Sequence, residues 1–264
     1  MPFADLKSAR IHYHLTAPSE LPVLVFSNSL GTDFSMWDAQ FEVFSRSFRI
    51  LRYDTRGHGQ SSSPPGSYTI EQLGKDLLGL LDYLNLPRVD FCSLSMGGLT
   101  GMWLGMHAPG RLRKIVLCNT ALRIGTVEGW DTRIETVARN GLRSIAPAAV
   151  ERWFTSSFRD RFPQVAQGAE EMLLSTPADG YMACCAAIRD ADFSVENQEH
   201  SISSIRLPTL VIAGVHDPVT TPADAHAIVG RISGSQYAEL RAAHLSNIEA
   251  AAEFTMEVGR FLTA

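Results

Sequence analysis

No apolar run in this sequence approaches the ~18 residues that a membrane-crossing helix requires, which argues against a spanning protein. The opening stretch Met1 to Ser8 lacks a charged segment leading into an apolar one, so no secretory signal is expected. Cysteine is scarce. Cys92, Cys118, Cys184 and Cys185 sit among apolar residues without C-x-x-C spacing, a pattern of buried free thiols rather than of a zinc site or a disulfide framework. Free thiols suit a reducing compartment, and together these absences predict a soluble, cytoplasmic protein. Runs of Lys and Arg are missing too, and the net charge is -5, so neither nucleic acid nor an anionic membrane surface is an expected partner. An anionic ligand would have to be met by individual arginines. No internal repeat, low-complexity tract or linker-like segment interrupts the chain.

What is present is ordinary globular composition, 45% hydrophobic and 19% charged over 264 residues, enough for one large α/β domain carrying an insertion. Residues 9–15 alternate apolar and polar as a half-exposed strand does, and 23–27 form a short apolar run typical of a buried one. Strand and helix then alternate. A strand over 48–54 is followed by a helix over 70–84, with Leu73, Leu77, Leu80, Leu81 and Leu84 on one face. A strand over 89–94, a helix over 97–106 and a strand over 114–119 come next. This rhythm predicts a mostly parallel sheet. From 121 to 200 it stops, and helical stretches such as 151–158 and 183–189 lie between proline and glycine breaks. Strand character returns at 209–214, with a helix over 223–229, a short strand over 236–240 and a terminal helix over 248–262. One interrupted domain accounts for this order: residues 1–120 and 201–264 form the core, and 121–200 a helical cap inserted into it.

Ser95 stands in Phe91-Cys-Ser-Leu-Ser-Met-Gly-Gly98, between a buried strand and a helix. A serine on such a tight turn holds its hydroxyl out above the sheet, and small neighbours relieve the crowding. Ser93 occupies the position where G-x-S-x-G has its first glycine, a departure that a small side chain tolerates. Such a string arises by chance in many chains; the strand before it and the helix after it are what give it meaning. A serine hydroxyl is a weak nucleophile and needs a base oriented by a carboxylate, here in the chain order nucleophile, acid, histidine. Asp217, in Gly214-Val-His-Asp-Pro-Val219, leaves the strand 209–214 at the same sheet edge as Ser95. Its bland alternative is a turn residue before Pro218, and Asn119 after the preceding strand cannot supply the charge. His244, in Arg241-Ala-Ala-His-Leu-Ser-Asn247, lies in the loop between the last strand and the last helix. His216 is the nearer rival in sequence, but a residue adjacent to Asp217 points the other way. His12 and His14 lie on a strand, His58 follows Gly57 in a turn, and His107, His200 and His226 have no triad position. No metal-binding histidine spacing competes. Acyl transfer also needs two donors for the developing oxyanion, and in elbow folds these are backbone N–H groups, here of Met96 and Leu30.

With these residues in hand, the chain resembles the α/β-hydrolase superfamily over essentially its whole length, and within it the 3-oxoadipate enol-lactonases of the β-ketoadipate pathway of aromatic-compound catabolism. Arg52-Tyr-Asp-Thr-Arg-Gly-His-Gly-Gln-Ser61 is a turn shared by much of the superfamily and supports the fold rather than a substrate. Ser27-Asn-Ser-Leu-Gly-Thr-Asp-Phe-Ser-Met-Trp-Asp38 is more specific, because Asn28-Ser29 stands where most relatives carry His-Gly. Ala242-Ala-His-Leu-Ser-Asn-Ile-Glu249 and Ser93 point the same way.

The resemblance implies an α/β-hydrolase fold, a mostly parallel eight-stranded sheet flanked by helices with an inserted helical cap. It also implies hydrolysis of a small anionic enol-lactone to 3-oxoadipate through an acyl-enzyme on Ser95, with no cofactor and no metal. The substrate carboxylate then needs a cation under the cap, where Arg123, Arg133, Arg139, Arg143, Arg152 and Arg189 are available. Arg133, beside Trp130, is favoured, while Trp130 equally suits the cap core. The same triad would serve another small carboxylic-ester hydrolase or a cofactor-free perhydrolase. A ligand receptor that keeps the fold would turn over slowly and change its cap on binding. The sequence leaves a homo-oligomer open.

Overall fold

A strand can be apolar at every position only where both faces are covered, and Val23–Ser27 is buried throughout. In the computed structural model, which describes residues 2–17, 20–195 and 201–264, that segment is β3, near the middle of one sheet. The strands are β1 (Phe3–Asp5), β2 (Arg10–Leu15), β3, β4 (Arg49–Tyr53), β5 (Val89–Leu94), β6 (Leu112–Cys118), β7 (Thr209–Gly214) and β8 (Gln236–Leu240). They form the expected eight-stranded sheet in the order β1-β2-β4-β3-β5-β6-β7-β8. β2 runs antiparallel to both β1 and β4, and every other pairing is parallel. β1 escapes the sequence pattern because three residues are too few to show a period.

The helices are α1 (Asp38–Phe44), α2 (Ile70–Tyr83), α3 (Met96–His107), α4 (Val127–Asn140), α5 (Ala146–Trp153), α6 (Ser156–Arg161), α7 (Pro163–Ser175), α8 (Ala178–Arg189), α9 (Pro222–Val229), α10 (Ser246–Glu249) and α11 (Ala251–Thr263). α2 begins at a Thr69/Gln72 capping box and buries Leu73, Leu77, Leu80 and Leu81. Among the described residues five α-helices, α4 to α8, lie between β6 and β7, and the tail of the expected cap, including His200, lies outside the described residues. Among the described residues no helix is long and apolar enough to cross a membrane, and the four cysteines are free and buried.

The stretch 183–189 is the end of a longer helix, α8, and two helices are broken where the sequence reads as continuous. The stretch 151–158 is not continuous: Phe154 turns extended (φ -134, ψ 146), and Thr155 accepts the Phe158 N–H to start α6. A threonine that can cap competes with the helix it would otherwise interrupt. The terminal helix starts earlier, at Ser246, and breaks at Ala250 (φ -118, ψ 47). α4 left little trace in the sequence because only Trp130 and Val137 on it are buried.

The turn 52–61 joins core to insertion. Arg56 and Asp76, both buried, form a two-pronged ion pair, and Asp54 accepts from the Phe34 and Gln60 N–H groups, both at 2.9 Å. Gly57 (φ 76) meets Gly180 of α8 backbone to backbone, so that a Cβ on Gly180 would lie 2.2 Å from the Gly57 oxygen. Next to it, buried His58 accepts the Gly31 N–H on Nε2 at 2.9 Å, while Nδ1 faces the Arg56 carbonyl at 3.4 Å. Burial pushes His58 down to about 4, against the opposing pull of that carbonyl and of Asp33.

Gly180→Ala should therefore destabilise the fold by about 1–3 kcal/mol, as overpacking against rigid backbone does, read as a fall in the urea midpoint. His58 stays neutral in the fold, while the unfolded chain takes up its proton near the ordinary histidine value of 6.5. Its contribution is complete above pH 6.5 and is lost as the pH falls towards about 4, in total roughly 3 kcal/mol. Urea titrations across that window should show a steeper decline for wild type than for His58→Gln; parallel curves would refute the assignment.

Candidate active site

Where β5 passes into α3, Ser95 adopts φ 58 and ψ -113, a region that costs a non-glycine residue about 1–3 kcal/mol. The surroundings over-determine it. Its N–H donates to the Cys118 carbonyl at 2.9 Å, its carbonyl accepts the Thr120 hydroxyl at 2.9 Å, and the Gly97 N–H donates to the Asn28 carbonyl at 3.0 Å. At Gly97 a Cβ would lie 2.4 Å from the Ser27 carbonyl oxygen, so the turn admits only glycine there. Ser93, in place of the usual first glycine, is buried on β5 and donates its hydroxyl to the Val116 carbonyl at 2.9 Å. The departure therefore leaves no unpaired hydroxyl.

Asp217 and His244 meet at 2.8 Å between Oδ2 and Nδ1, both buried. The turn reading and the acid reading of Asp217 fall on different oxygens of one carboxylate. Oδ1 accepts the Val219 and Thr220 N–H groups at 2.7 and 3.1 Å, while Oδ2 takes His244, the Thr220 hydroxyl at 2.7 Å and the Asn119 amide at 2.9 Å. Burial by itself raises the carboxyl pKa, but the electrostatic attraction of His244 and the bonds from His244, Asn119 and Thr220 outweigh it and bring it down to about 2. Asp217 is thus an anion at neutral pH. Asn119, set aside in the sequence for want of charge, is a positioning residue instead: it sits at φ 45, donates also to the Ala243 carbonyl at 3.2 Å and accepts the Ser246 hydroxyl. A polar residue just past the apolar run Ile115–Cys118 of β6 was the available signal. His216 is exposed and its N–H is spent on the Ala242 carbonyl.

Ser95 and His244 line one cavity of about 240 Å³. Ser29 and Leu30 line it too, on the loop after β3, where Ser29 N–H donates to Met36 Sδ at 3.5 Å and Gly31 N–H to His58 at 2.9 Å. Among the described residues no acceptor takes the N–H of Leu30 or of Met96, the first residue of α3. Both donors are uncommitted, and Met96 adds the positive end of a helix.

The insertion supplies Trp130, Arg133, Arg152, Trp153 and Tyr181 to the same cavity. Trp130 is buried with its indole N–H on the Ile124 carbonyl at 2.6 Å and also lines the space. The Arg133 guanidinium lies 5.0 Å from the Trp130 ring. Arg152, not preferred on sequence, is its neighbour: burial first, then the like charge of Arg133, lowers its pKa. Of the remaining candidate arginines, three are engaged elsewhere. Arg123 pairs with Asp192, Arg139 with Glu135 and Arg189 with Asp131 and Asp190, and Arg143 does not line the cavity.

The two distinctive segments are tied to each other. Asn28 accepts the Trp37 indole N–H at 3.0 Å and donates to the Tyr53 carbonyl at 2.9 Å. Asn247 donates to the Met36 carbonyl at 2.7 Å and accepts Gln40 on its own carbonyl at 2.9 Å. Residues 27–38 and 242–249 therefore form one hydrogen-bonded support beneath the cavity.

Comparison with known proteins agrees with this architecture. A family model described as alpha/beta hydrolase fold matches residues 22–251. The 3-oxoadipate enol-lactonase 2 of Acinetobacter baylyi is 42% identical, over 94% of this chain and 92% of that protein. The 3-oxoadipate enol-lactonase 1 of the same organism is 41% identical, over 91% and 88%. The crystal structure of the enol-lactonase from Burkholderia xenovorans LB400 matches with a TM-score of 0.95 at 43% identity and covers 100% of both chains. Strand order, the tight turn at Ser95 and relatives agree, and the chain belongs to the α/β-hydrolase fold family, in the group of the 3-oxoadipate enol-lactonases.

Proposed function

We propose that this protein hydrolyses 3-oxoadipate enol-lactone to 3-oxoadipate, with Ser95 as nucleophile, His244 as general base and Asp217 as its orienting acid, beneath a cap made of residues 121–200. The observation that carries the reading is the content of one cavity of about 240 Å³: a strained serine, a carboxylate-bound imidazole and two guanidinium groups. The first two suit acyl transfer, and the cations suit a substrate that bears a carboxylate. The four buried free thiols support a cytoplasmic setting.

Ser95 Oγ attacks the lactone carbonyl while His244 Nε2 takes its proton, and Asp217 stabilises the imidazolium that results. The N–H groups of Leu30 and Met96 receive the oxyanion. Collapse breaks the bond to the ring oxygen, which leaves as an enolate and takes the proton from His244. That oxygen stays attached to the acyl chain and could close the ring again. Ketonisation of the enol removes it and makes opening one-way. Water, activated by His244, then releases 3-oxoadipate and restores Ser95. Throughout, Arg133 and Arg152 hold the carboxylate that is not reacting.

Steady-state hydrolysis of freshly made enol-lactone and of a neutral short-chain ester, by wild type and Ser95→Ala, tests the reading. The lactone should be strongly preferred, and Ser95→Ala should lose at least about 10⁴-fold in kcat/KM while keeping its circular dichroism and Tm. Good ester turnover with little on the lactone would retain the chemistry and discard the substrate, and slow turnover of both would favour a ligand receptor. Arg133→Ala and Arg152→Ala should each raise KM for the lactone by about 10- to 100-fold, the worth of a hydrogen bond to a charged group, with a much smaller change for the neutral ester. Equal losses on the two substrates would exclude the arginine role.

A further inference from the structure

The segment 242–249 contains one charged side chain that the proposed chemistry leaves unused. Glu249 ends α10, half-buried, and its carboxylate reaches two parts of the chain. Oε2 accepts the Ala243 N–H at 2.9 Å, one residue before His244. Oε1 accepts the Thr155 N–H at 3.2 Å, and also the Thr155 hydroxyl. Thr155 is the break between α5 and α6, within the insertion.

A second set of bonds runs alongside. The Leu245 N–H donates to the Trp153 carbonyl at 3.0 Å, and the His244 N–H to the Arg152 carbonyl at 3.4 Å. Arg152 and Trp153 point into the cavity that His244 lines. The loop carrying the imidazole is therefore laid along the end of α5, and Glu249 bonds to the partners on both sides of that seam. Asp217 sets the tilt of the His244 ring through Nδ1, but it does not hold the backbone from which the ring projects. An ionised carboxylate accepting N–H and O–H donors makes stronger, shorter bonds than a neutral group in its place.

We propose that Glu249 is a positioning residue that fastens the His244 loop to the α5–α6 junction, so that the guanidinium of Arg152 and the imidazole of His244 are held as one unit. This rests on the reading of His244 as general base. It gives the cap a part in setting the chemistry as well as in covering it, because a shift of α5 would carry the base with it. Misplacement of a catalytic group by about 1 Å costs on the order of 10²-fold in rate.

The test compares Glu249→Gln, Thr155→Val and the double variant, with active sites counted by burst titration using an organophosphonate that reacts with Ser95. Glu249→Gln keeps the volume, but its amide nitrogen cannot accept. Its kcat per titrated site should fall about 10- to 100-fold on both the enol-lactone and p-nitrophenyl acetate, with KM within about threefold. Thr155→Val should lose less, and the double variant should be no worse than Glu249→Gln within about twofold, since both remove the same contact. A merely structural contact would lower Tm and leave kcat per site at the wild-type value; that result, or fully multiplicative losses in the double variant, overturns the proposal. If Glu249→Gln does not fold, Thr155→Val alone decides, at a loss of about threefold or more in kcat against none. The two readings fail separately: wild type inactive on the lactone but with ester turnover that drops in Glu249→Gln would discard the substrate and keep the positioning role.

Discussion

The Asp217 carboxylate is the interaction on which the rest of the site depends. A buried charge is tolerable only when its oxygens are filled by donors, and the donors to Asp217 come from the ends of three neighbouring parallel strands: Asn119 after β6, Val219 and Thr220 after β7, and His244 after β8. Parallel order brings those ends to one edge of the sheet. The same edge holds Ser95, whose N–H is anchored on Cys118 at the end of β6. Charge, imidazole and strained serine are thus consequences of one topological arrangement rather than separate features.

The insertion is bound to this edge by contacts that leave little tolerance. Gly180 of α8 sits on Gly57 backbone to backbone, and buried His58 of the same turn reaches the Gly31 N–H next to Leu30. The turn 52–61 reads from sequence as a fold feature, and its ion pair between Arg56 and Asp76 agrees with that. It also borders the loop whose Leu30 N–H is left without an acceptor among the described residues. Support for the fold and support for the cavity are here the same residues.

Most of the fold was legible because burial leaves a period in the sequence. Val23–Ser27 and Thr209–Gly214 are apolar at nearly every position, since both faces are covered, and the leucines of α2 repeat at helical spacing. α4 was not legible, with two buried residues in fourteen, nor was the break before α6, which Thr155 imposes by capping. Ser95, Asp217 and His244 could be singled out because each lies just past the C-terminal end of a strand, a local property.

The alternation of strands and helices along the chain and the candidate residues at strand ends were therefore readable from the sequence alone, because each depends on neighbours within one element or at its end. Only the tertiary structure decided which arginines face the cavity, that Asn119 donates to Asp217, and that Asn247 joins two segments 211 residues apart. Those contacts depend on where distant elements come to rest. Arg152 and Arg189 are alike in sequence as cations on the insertion, yet one lines the cavity and the other is neutralised by Asp131 and Asp190. Helix packing makes that difference, and no local pattern records it.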